Sequence, residues 1–200
     1  MSFISLLKQL PIDLGQGNYR KTTKGKEIAM SLIGSARGDA LDIGCREGDQ
    51  TKRLERLGFQ VTSIDIEKNF IHCIVMDANE TLAFKDASFD LIWCSEVIEH
   101  LDDPATSLAE FRRVLKPNGK LIITTPNSFF WLFRIFKLFG LPPEKLQHPG
   151  HKHFFHYKDM KTLFPHNTIY GFFPYSVVKF RIRRLVGILS PTFITMEKKT

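Results

Sequence analysis

What most limits the fold of this chain is a series of short apolar runs, each stopped by glycine, proline or an acid and separated by stretches of helical pattern. The runs are Asp39-Ala-Leu-Asp-Ile-Gly44, Phe59-Gln-Val-Thr-Ser-Ile-Asp65, Ile71-His-Cys-Ile-Val-Met76, Phe89-Asp-Leu-Ile-Trp-Cys94 and Lys120-Leu-Ile-Ile-Thr-Thr125, the last ended by Pro126. Short runs that stay apolar suit strands covered on both faces, as in parallel sheets. Ahead of them, 17–33 has the residues of a helix. Thr51-Lys-Arg-Leu-Glu-Arg-Leu57 puts Leu54 and Leu57 on one helical face, and Gly58 stops it. Asp103-Pro104 supplies an acidic N-cap and a proline at N1. That helix runs through Leu108, Phe111, Val114 and Leu115 to a Lys-Pro-Asn-Gly119 stop. Strands alternating with helices predict an α/β protein with a largely parallel sheet and helices on both faces.

One connection is too short for that pattern. From Asp65 to Ile71 about six residues must return the chain from the end of one parallel strand to the start of the next, and their reach is roughly 20 Å. That is about the length of a strand. A bare crossover fits there and a helix does not, so the usual crossover helix is predicted to be missing.

Open α/β sheets bind ligands at the carboxyl ends of their strands. The strand ends here carry Asp42, Gly44, Cys45, Arg46, Glu47 and Gly48, then Asp65, then Asp77 and Ala78, then Ser95, Glu96, Glu99 and His100. Glycine just after a strand lets a ligand approach the backbone with no Cβ in the way. A carboxylate ending the neighbouring strand can accept both hydroxyls of a ribose. A dinucleotide reader would carry GxGxxG with a helix N-terminus facing pyrophosphate. This chain has GxxxG and puts Glu47 in the loop, which repels pyrophosphate. A nicotinamide oxidoreductase is disfavoured, and a cationic ligand bearing a ribose, such as S-adenosylmethionine (SAM), fits better.

The stretch from Ala40 to Asn127 resembles the class I SAM-dependent methyltransferases (methyltransferase type 11-like), the broad group that includes the ubiquinone and menaquinone biosynthesis enzymes. The likeness rests on LDIGCxxG, the acidic end of strand two, the MDA element at Met76–Ala78, and FDLIWCSEVIEHLDDPATSLAEFRRVLKPNGKLIITTPN. In that last run, EHL followed by a helix and LKPNG is the most characteristic part. The resemblance implies a Rossmann-like fold with a mostly parallel seven-stranded sheet, an antiparallel C-terminal strand and helices on both faces. It implies SAM as cofactor and S-adenosylhomocysteine as product. Asp42, Gly44 and Gly48 would shape the methionine pocket, Asp65 would hold the ribose hydroxyls, and Asp77 with the Ala78 backbone would meet the adenine. Ser95 and Glu96 would line the far side, and Cys45 and Ile66 join the expected cofactor contacts. The family usually has a glycine where this chain has Arg46, so the loop must turn that side chain outward or distort.

Methyl transfer from a sulfonium is an in-line displacement that chiefly requires positioning and exclusion of water. A base is needed only where the nucleophile is protonated. His100, just after the fourth strand, is the candidate; its alternative role is to hold the loop by a hydrogen bond.

The back half differs in kind. Residues 1–128 hold 16 Lys+Arg against 18 Asp+Glu, residues 129–200 hold 12 against 3, and 12 of the 18 phenylalanines follow Ser128. Ser128–Phe139 is apolar nearly all round, with Arg134 and Lys137 a turn apart. A hydrophobic lid over the substrate pocket is the first reading, core packing and docking on a membrane surface the alternatives. His148, His151, His153 and His156 invite a metal reading, but their spacing along the chain matches no standard site, so no metal is expected and a substrate-side or structural role is. A helix is expected at Tyr157–Phe164, strands at Thr168–Phe173 and Pro191–Met196, and a basic amphipathic helix at Ser176–Leu189. Nothing resembles a nucleic-acid-binding module.

Length suits a single domain over 1–200, comprising a SAM-binding half (17–127), a variable aromatic lid and helix (128–165), and C-terminal strands with a basic helix (166–200). Cys45, Cys73 and Cys94 read as buried reduced thiols of a cytoplasmic protein. MSFISLLKQL reads as an amphipathic arm rather than a secretion signal, and no run of eighteen apolar residues occurs. The expected activity is methyl transfer to a small-molecule acceptor, apolar or lipid-linked. The alternative is a non-catalytic SAM-fold protein that docks on a partner or membrane through its basic half.

Overall fold

The structure, a computed structural model, describes residues 23–173, 175 and 179–200. The amphipathic arm and the first part of the 17–33 helix lie outside the described residues. In chain order the elements are α1 (Lys24–Ile33), β1 (Gly38–Ile43), α2 (Asp49–Arg56), β2 (Phe59–Asp65), β3 (Cys73–Val75), β4 (Phe89–Ser95), a 3-10 turn (Ile98–His100), α3 (Pro104–Val114) and β5 (Leu115–Pro126). There follow α4 (Trp131–Leu138), α5 (Pro143–Leu146), α6 (Tyr157–Leu163), β6 (Ile169–Phe173), β7 (Phe180–Ile182), α7 (Val186–Leu189) and β8 (Thr192–Lys198).

The strands form one mixed sheet in the order β3-β2-β1-β4-β5-β8-β6-β7. The first five are parallel, and β8 runs antiparallel between β5 and β6. This is the expected Rossmann-like arrangement with eight strands instead of seven. The extra edge strand, β7, comes from the stretch expected to be a basic helix. Phe180-Arg-Ile-Arg183 alternates with period two, and Arg181 and Arg183 lay their guanidinium groups over the Tyr170 ring of neighbouring β6 at 5.4 and 5.2 Å. Only a short turn of helix, α7, remains of the expected one; residues 176–178 lie outside the described residues.

Two more boundaries differ from expectation. α3 stops at Val114, because Pro117 forces an extended conformation on the residue before it, and Leu115 already pairs with Phe89. Lys-Pro-Asn-Gly119 is therefore an irregular start of β5, with Asn118 in the left-handed region (φ +64) and its N–H donating to Lys199 O. The Lys199 ammonium closes the end of α3 by donating to Arg112 O and Leu115 O. β3 is only three residues long, since Ile71 and His72 lie in a turn closed by Cys73 N–H to Phe70 O.

As expected, no helix joins β2 to β3. The bare crossover leaves Ile71 (80% exposed) and Val75 (59%) uncovered at this edge of the sheet.

Alternation along the strands divides the core between the two faces. Leu41, Ile43, Ile92, Cys94, Leu121 and Ile123 meet Leu108, Phe111 and Val114 of α3 and Met160 of α6. On the other face Ala40, Leu91, Trp93 and Ile122 meet Ile28, Ala29 and Ile33 of α1, Leu54 of α2, and Phe130 and Phe133 of the aromatic segment. Arg112 of α3 grips Glu197 of β8 with two hydrogen bonds of 2.7 and 2.8 Å.

Asn127, wholly buried directly after β5, ties the two halves of the sheet together. Its side-chain amide donates to Gly187 O (3.0 Å) and Ser190 O (2.7 Å), while its oxygen accepts the Phe129 N–H (3.0 Å). Asn127→Ala strands these main-chain groups. It should lower unfolding free energy by about 2–4 kcal/mol, read as a shift in urea midpoint at unchanged slope. A midpoint equal to that of the parent protein would contradict this role.

Candidate functional site

A cleft of about 700 Å³ opens over the carboxyl ends of β1, β2 and β4, a size within the usual range for small-molecule sites. Its floor is the loop after β1. Gly44 N–H and Cys45 N–H both donate to Ile64 O (2.9 and 3.2 Å), drawing the loop across the end of β2. Gly44 has φ +76, and a Cβ there would come within 2.3 Å of Val97 Cγ2. Gly48 has φ +78, and a Cβ would come within 2.7 Å of the Phe70 ring. Both positions therefore exclude side chains on steric as well as conformational grounds.

Arg46 settles into the loop by adopting φ +46, with its side chain exposed. Its N–H donates to Asp65 Oδ2 at 2.9 Å, and Glu67 N–H donates to Asp65 Oδ1 at 3.2 Å. Two main-chain donors thus fix the Asp65 carboxylate at the end of β2. Ile66, 66% exposed, lies beside it on the cleft wall. On the far side of β2, Asp77 turns back to accept Asn79 N–H, and Ala78 is buried against the sheet.

Asp42 lies beneath this floor. It accepts Thr51 Oγ1–H at 2.6 Å, and that hydroxyl is also 2.9 Å from Ser63 Oγ on β2. Complete burial pushes its carboxyl up to about 6, against the lowering effects of Thr51 and Lys26. Burial likewise raises the Cys45 thiol well above its ordinary value.

The opposite wall is the turn after β4. Glu96 sits at φ +60, its N–H donating to Thr124 O (2.9 Å) and its carboxylate accepting Thr124 Oγ1–H (2.9 Å). Ser95 Oγ is 2.7 Å from the same threonine hydroxyl. Glu99 is buried to 1% exposure and accepts Thr125 Oγ1–H on Oε2 (2.9 Å), whereas Oε1 has no hydrogen-bond partner. Burial, then the nearby Glu96 charge, raise its carboxyl well above the usual carboxylate range.

His100 Nδ1 is 2.9 Å from Gly150 O. A carbonyl only accepts, so Nδ1 carries the proton and Nε2 keeps a lone pair. Burial lowers the imidazole below its usual value. Segment 148–153 is clamped over this wall by Lys152 N–H and His153 N–H donating to Glu99 O (2.8 and 3.0 Å), and by the Lys152–Asp102 ion pair.

Ten of the eleven residues singled out in the sequence line this cleft: Asp42, Gly44, Cys45, Asp65, Ile66, Asp77, Ala78, Ser95, Glu96 and His100; Gly48 does not, and packs against Phe70 behind the loop. Other lining residues had been given no role in the sequence reading. Glu99 was quoted only as part of a motif, although an acid in an apolar turn between strand and helix was a signal. The 148–152 segment also lines the cleft, a place that suits the substrate-side role expected of the histidine stretch. The aromatic segment after Ser128 does not form the expected lid. Phe130 and Phe133 pack into the core on the α1 face, Trp131 Nε1–H donates to the Tyr175 hydroxyl oxygen at 2.7 Å, and no residue of α4 lines the cleft. His156 stacks on Phe129 and starts α6, well apart in role from His148 and His151.

The family model described as "Methyltransferase domain" matches residues 41–123. A ubiquinone biosynthesis O-methyltransferase from Xanthomonas oryzae pv. oryzae (strain PXO99A) is 33% identical over 101 residues, 44% of this chain and 42% of that protein. The enzyme of the same name from Xanthomonas euvesicatoria pv. vesicatoria (strain 85-10) is 31% identical over 115 residues, 50% of this chain and 48% of that protein. The chain thus spans less than half the length of the curated relatives it matches. Among solved structures, a SAM-dependent methyltransferase from Thermotoga maritima, described as a possible histamine N-methyltransferase, superposes with TM-score 0.69 at 16% identity, covering 88% of this chain and 89% of that one. A SAM-dependent methyltransferase from Archaeoglobus fulgidus gives 0.66 at 18% identity, covering 99% and 100%. Residues 41–123 thus match a methyltransferase domain, set in a Rossmann-like fold that the chain shares with these solved structures.

Proposed function

We propose that the protein binds SAM in the cleft over β1, β2 and β4 and transfers its methyl group to a small-molecule acceptor. The observation that carries this reading is the Asp65 carboxylate, fixed by two main-chain donors beside a glycine loop that admits no Cβ. Such a carboxylate is already oriented to accept a ribose diol, and the cleft beside it has the volume of a small-molecule site. When bound, SAM supplies a methyl carbon activated by its sulfonium. The residues of this chain then bind, orient and exclude water. Asp77 and Ala78 take the adenine side, Asp42, Gly44, Cys45 and Gly48 the methionine side, and Ser95 and Glu96 face the acceptor. His100, with a lone pair on Nε2, accepts the proton of a hydroxyl acceptor. An apolar or lipid-linked acceptor is supported by the name of the Xanthomonas relatives and by the aromatic back half.

Calorimetric titration with SAM and with S-adenosylhomocysteine tests the reading. Both should bind, and Asp65→Ala should weaken SAM by the ~1.5–3 kcal/mol typical of hydrogen bonds to a charged group. A folded protein that binds neither ligand would sink the assignment.

The pH dependence follows from Asp42. Its carboxyl, raised to about 6, holds a proton below that pH and loses it above. A cationic ligand favours the ionised form, so it must expel the proton in acid. Affinity for SAM should therefore fall as pH drops through 6, by up to about tenfold per unit, and Asp42→Asn should flatten the profile. Equal slopes in both proteins would rule out Asp42 as the titrating group.

Peripheral membrane contact is supported by Leu138 (84% exposed) and Phe139 (76%) beside Lys137, a pairing suited to an anionic interface. The protein should sediment with anionic liposomes at low salt, and Leu138→Glu with Phe139→Glu should abolish this. No sedimentation of the parent protein would remove the contact from the proposal.

A further inference from the structure

We infer that His100, His148 and His151 form a binding site for a divalent transition-metal ion of the zinc type at the rim of the cleft. The three imidazoles come from two segments 48 residues apart or more, and each offers a ring nitrogen within 4.8 Å of the others. His148 and His151 alone would be an ordinary pair on a loop. The fold brings His100 between them, with ring centroids 5.6 and 4.7 Å from theirs. Gly150 makes the approach possible, because a Cβ there would lie 3.1 Å from His148 Nδ1 and 3.5 Å from His100 Nδ1.

The surroundings match those of a metal centre. A ligating histidine generally donates its second ring N–H to a carbonyl or carboxylate, which orients the ring. His100 does this through Nδ1 to Gly150 O at 2.9 Å, and His151 Nδ1 is 3.4 Å from Gln147 Oε1. Both rings therefore turn Nε2 away from these supports. His148 accepts the Gly150 N–H on Nδ1 at 3.1 Å and would exchange that bond for the metal.

An independent observation also points to a cation here. Glu99, 1% exposed, has one oxygen with no hydrogen-bond partner, and that oxygen lies 4.0 Å from His151 Nε2. A buried carboxyl oxygen left without a partner is costly, and a cation held at His151 would supply one. Three imidazoles with a carboxyl beside them suit zinc or cobalt and not magnesium, which prefers oxygen ligands and keeps its waters. The ligand atoms need to close by about 1 Å to reach metal–nitrogen distances near 2.0–2.1 Å. The spacing along the chain, which argued against a metal, omitted His100 and so could not show this set.

The site rests on geometry alone and not on SAM binding. It does bear on the proposed reaction, since a bound ion would occupy the His100 lone pair and itself acidify an acceptor hydroxyl. The test uses tag-free, chelator-treated full-length protein titrated with Co2+ and Zn2+. One equivalent of Co2+ should bind with visible d–d absorption and be displaced by Zn2+, while Mg2+ should not compete. His148→Ala and His151→Ala should each weaken binding at least about tenfold, and Glu99→Gln should weaken it within the about 10- to 100-fold range of supporting groups. Circular dichroism and melting of the metal-free variants check that they fold, and His153→Ala, outside the set, should bind as the parent does. Absence of stoichiometric Co2+ binding, affinity unchanged from the parent protein in His148→Ala and His151→Ala, or a near-ultraviolet thiolate-to-cobalt band assigning the ion to cysteine would each overturn the inference. Metal binding with no SAM binding would leave this site standing and defeat only the proposed methyl transfer.

Discussion

A carboxylate sealed from water is tolerated only where its neighbours compensate it, and the wall of this cleft is organised around one, Glu99. Its main-chain carbonyl takes the Lys152 and His153 amides, and its Oε2 takes the Thr125 hydroxyl. One residue thus joins the turn after β4, the end of β5 and a segment fifty residues downstream. The lid over the cleft follows from this junction. Segment 148–152 is held on the wall by Glu99, whereas the aromatic helix α4 is drawn away into the core behind the sheet.

The floor depends on a different economy of space. Gly44 and Gly48 adopt positive φ where Val97 and Phe70 leave no room for a Cβ. Arg46 also adopts positive φ, a conformation that is uncommon for a residue with a side chain. Its amide is the reward of that geometry, since it is one of the two donors that fix Asp65. The departure from glycine at this position therefore leaves the carboxylate anchored, and the exposed Arg46 is itself part of the cleft lining. The shortened link after Asp65 has a comparable effect on the edge of the sheet. It removes a covering helix and leaves only a three-residue β3, too short to present a long row of unpaired main-chain groups.

Much of this was legible beforehand because it depends on local rules. Buried parallel strands need continuous apolar runs, helices need caps, and glycine marks close approach, so the strand ends and their acids could be placed by number. The missing crossover helix was a matter of chain reach. The errors share a cause as well. Phe180-Arg-Ile-Arg183 satisfies both a helical and an alternating pattern over so few residues, and pairing with β6 and stacking on Tyr170 decided for the strand. The apolar segment after Ser128 could have covered a pocket or filled a core. Its composition suits both, and only the unfilled space behind β1 and β4 selects the second.

The sequence by itself determined the parallel core, the order of its strand ends and the acids and glycines that line the cleft, because each follows from periodicity and turn chemistry within a few residues. Only the tertiary structure decided which distant segments close that cleft. The convergence of His100 with His148 and His151, and the orphaned oxygen of Glu99 beside them, arise from packing a loop near residue 150 onto a turn near residue 99. Contacts across such a separation depend on how the whole sheet is wound, and local pattern carries no record of it.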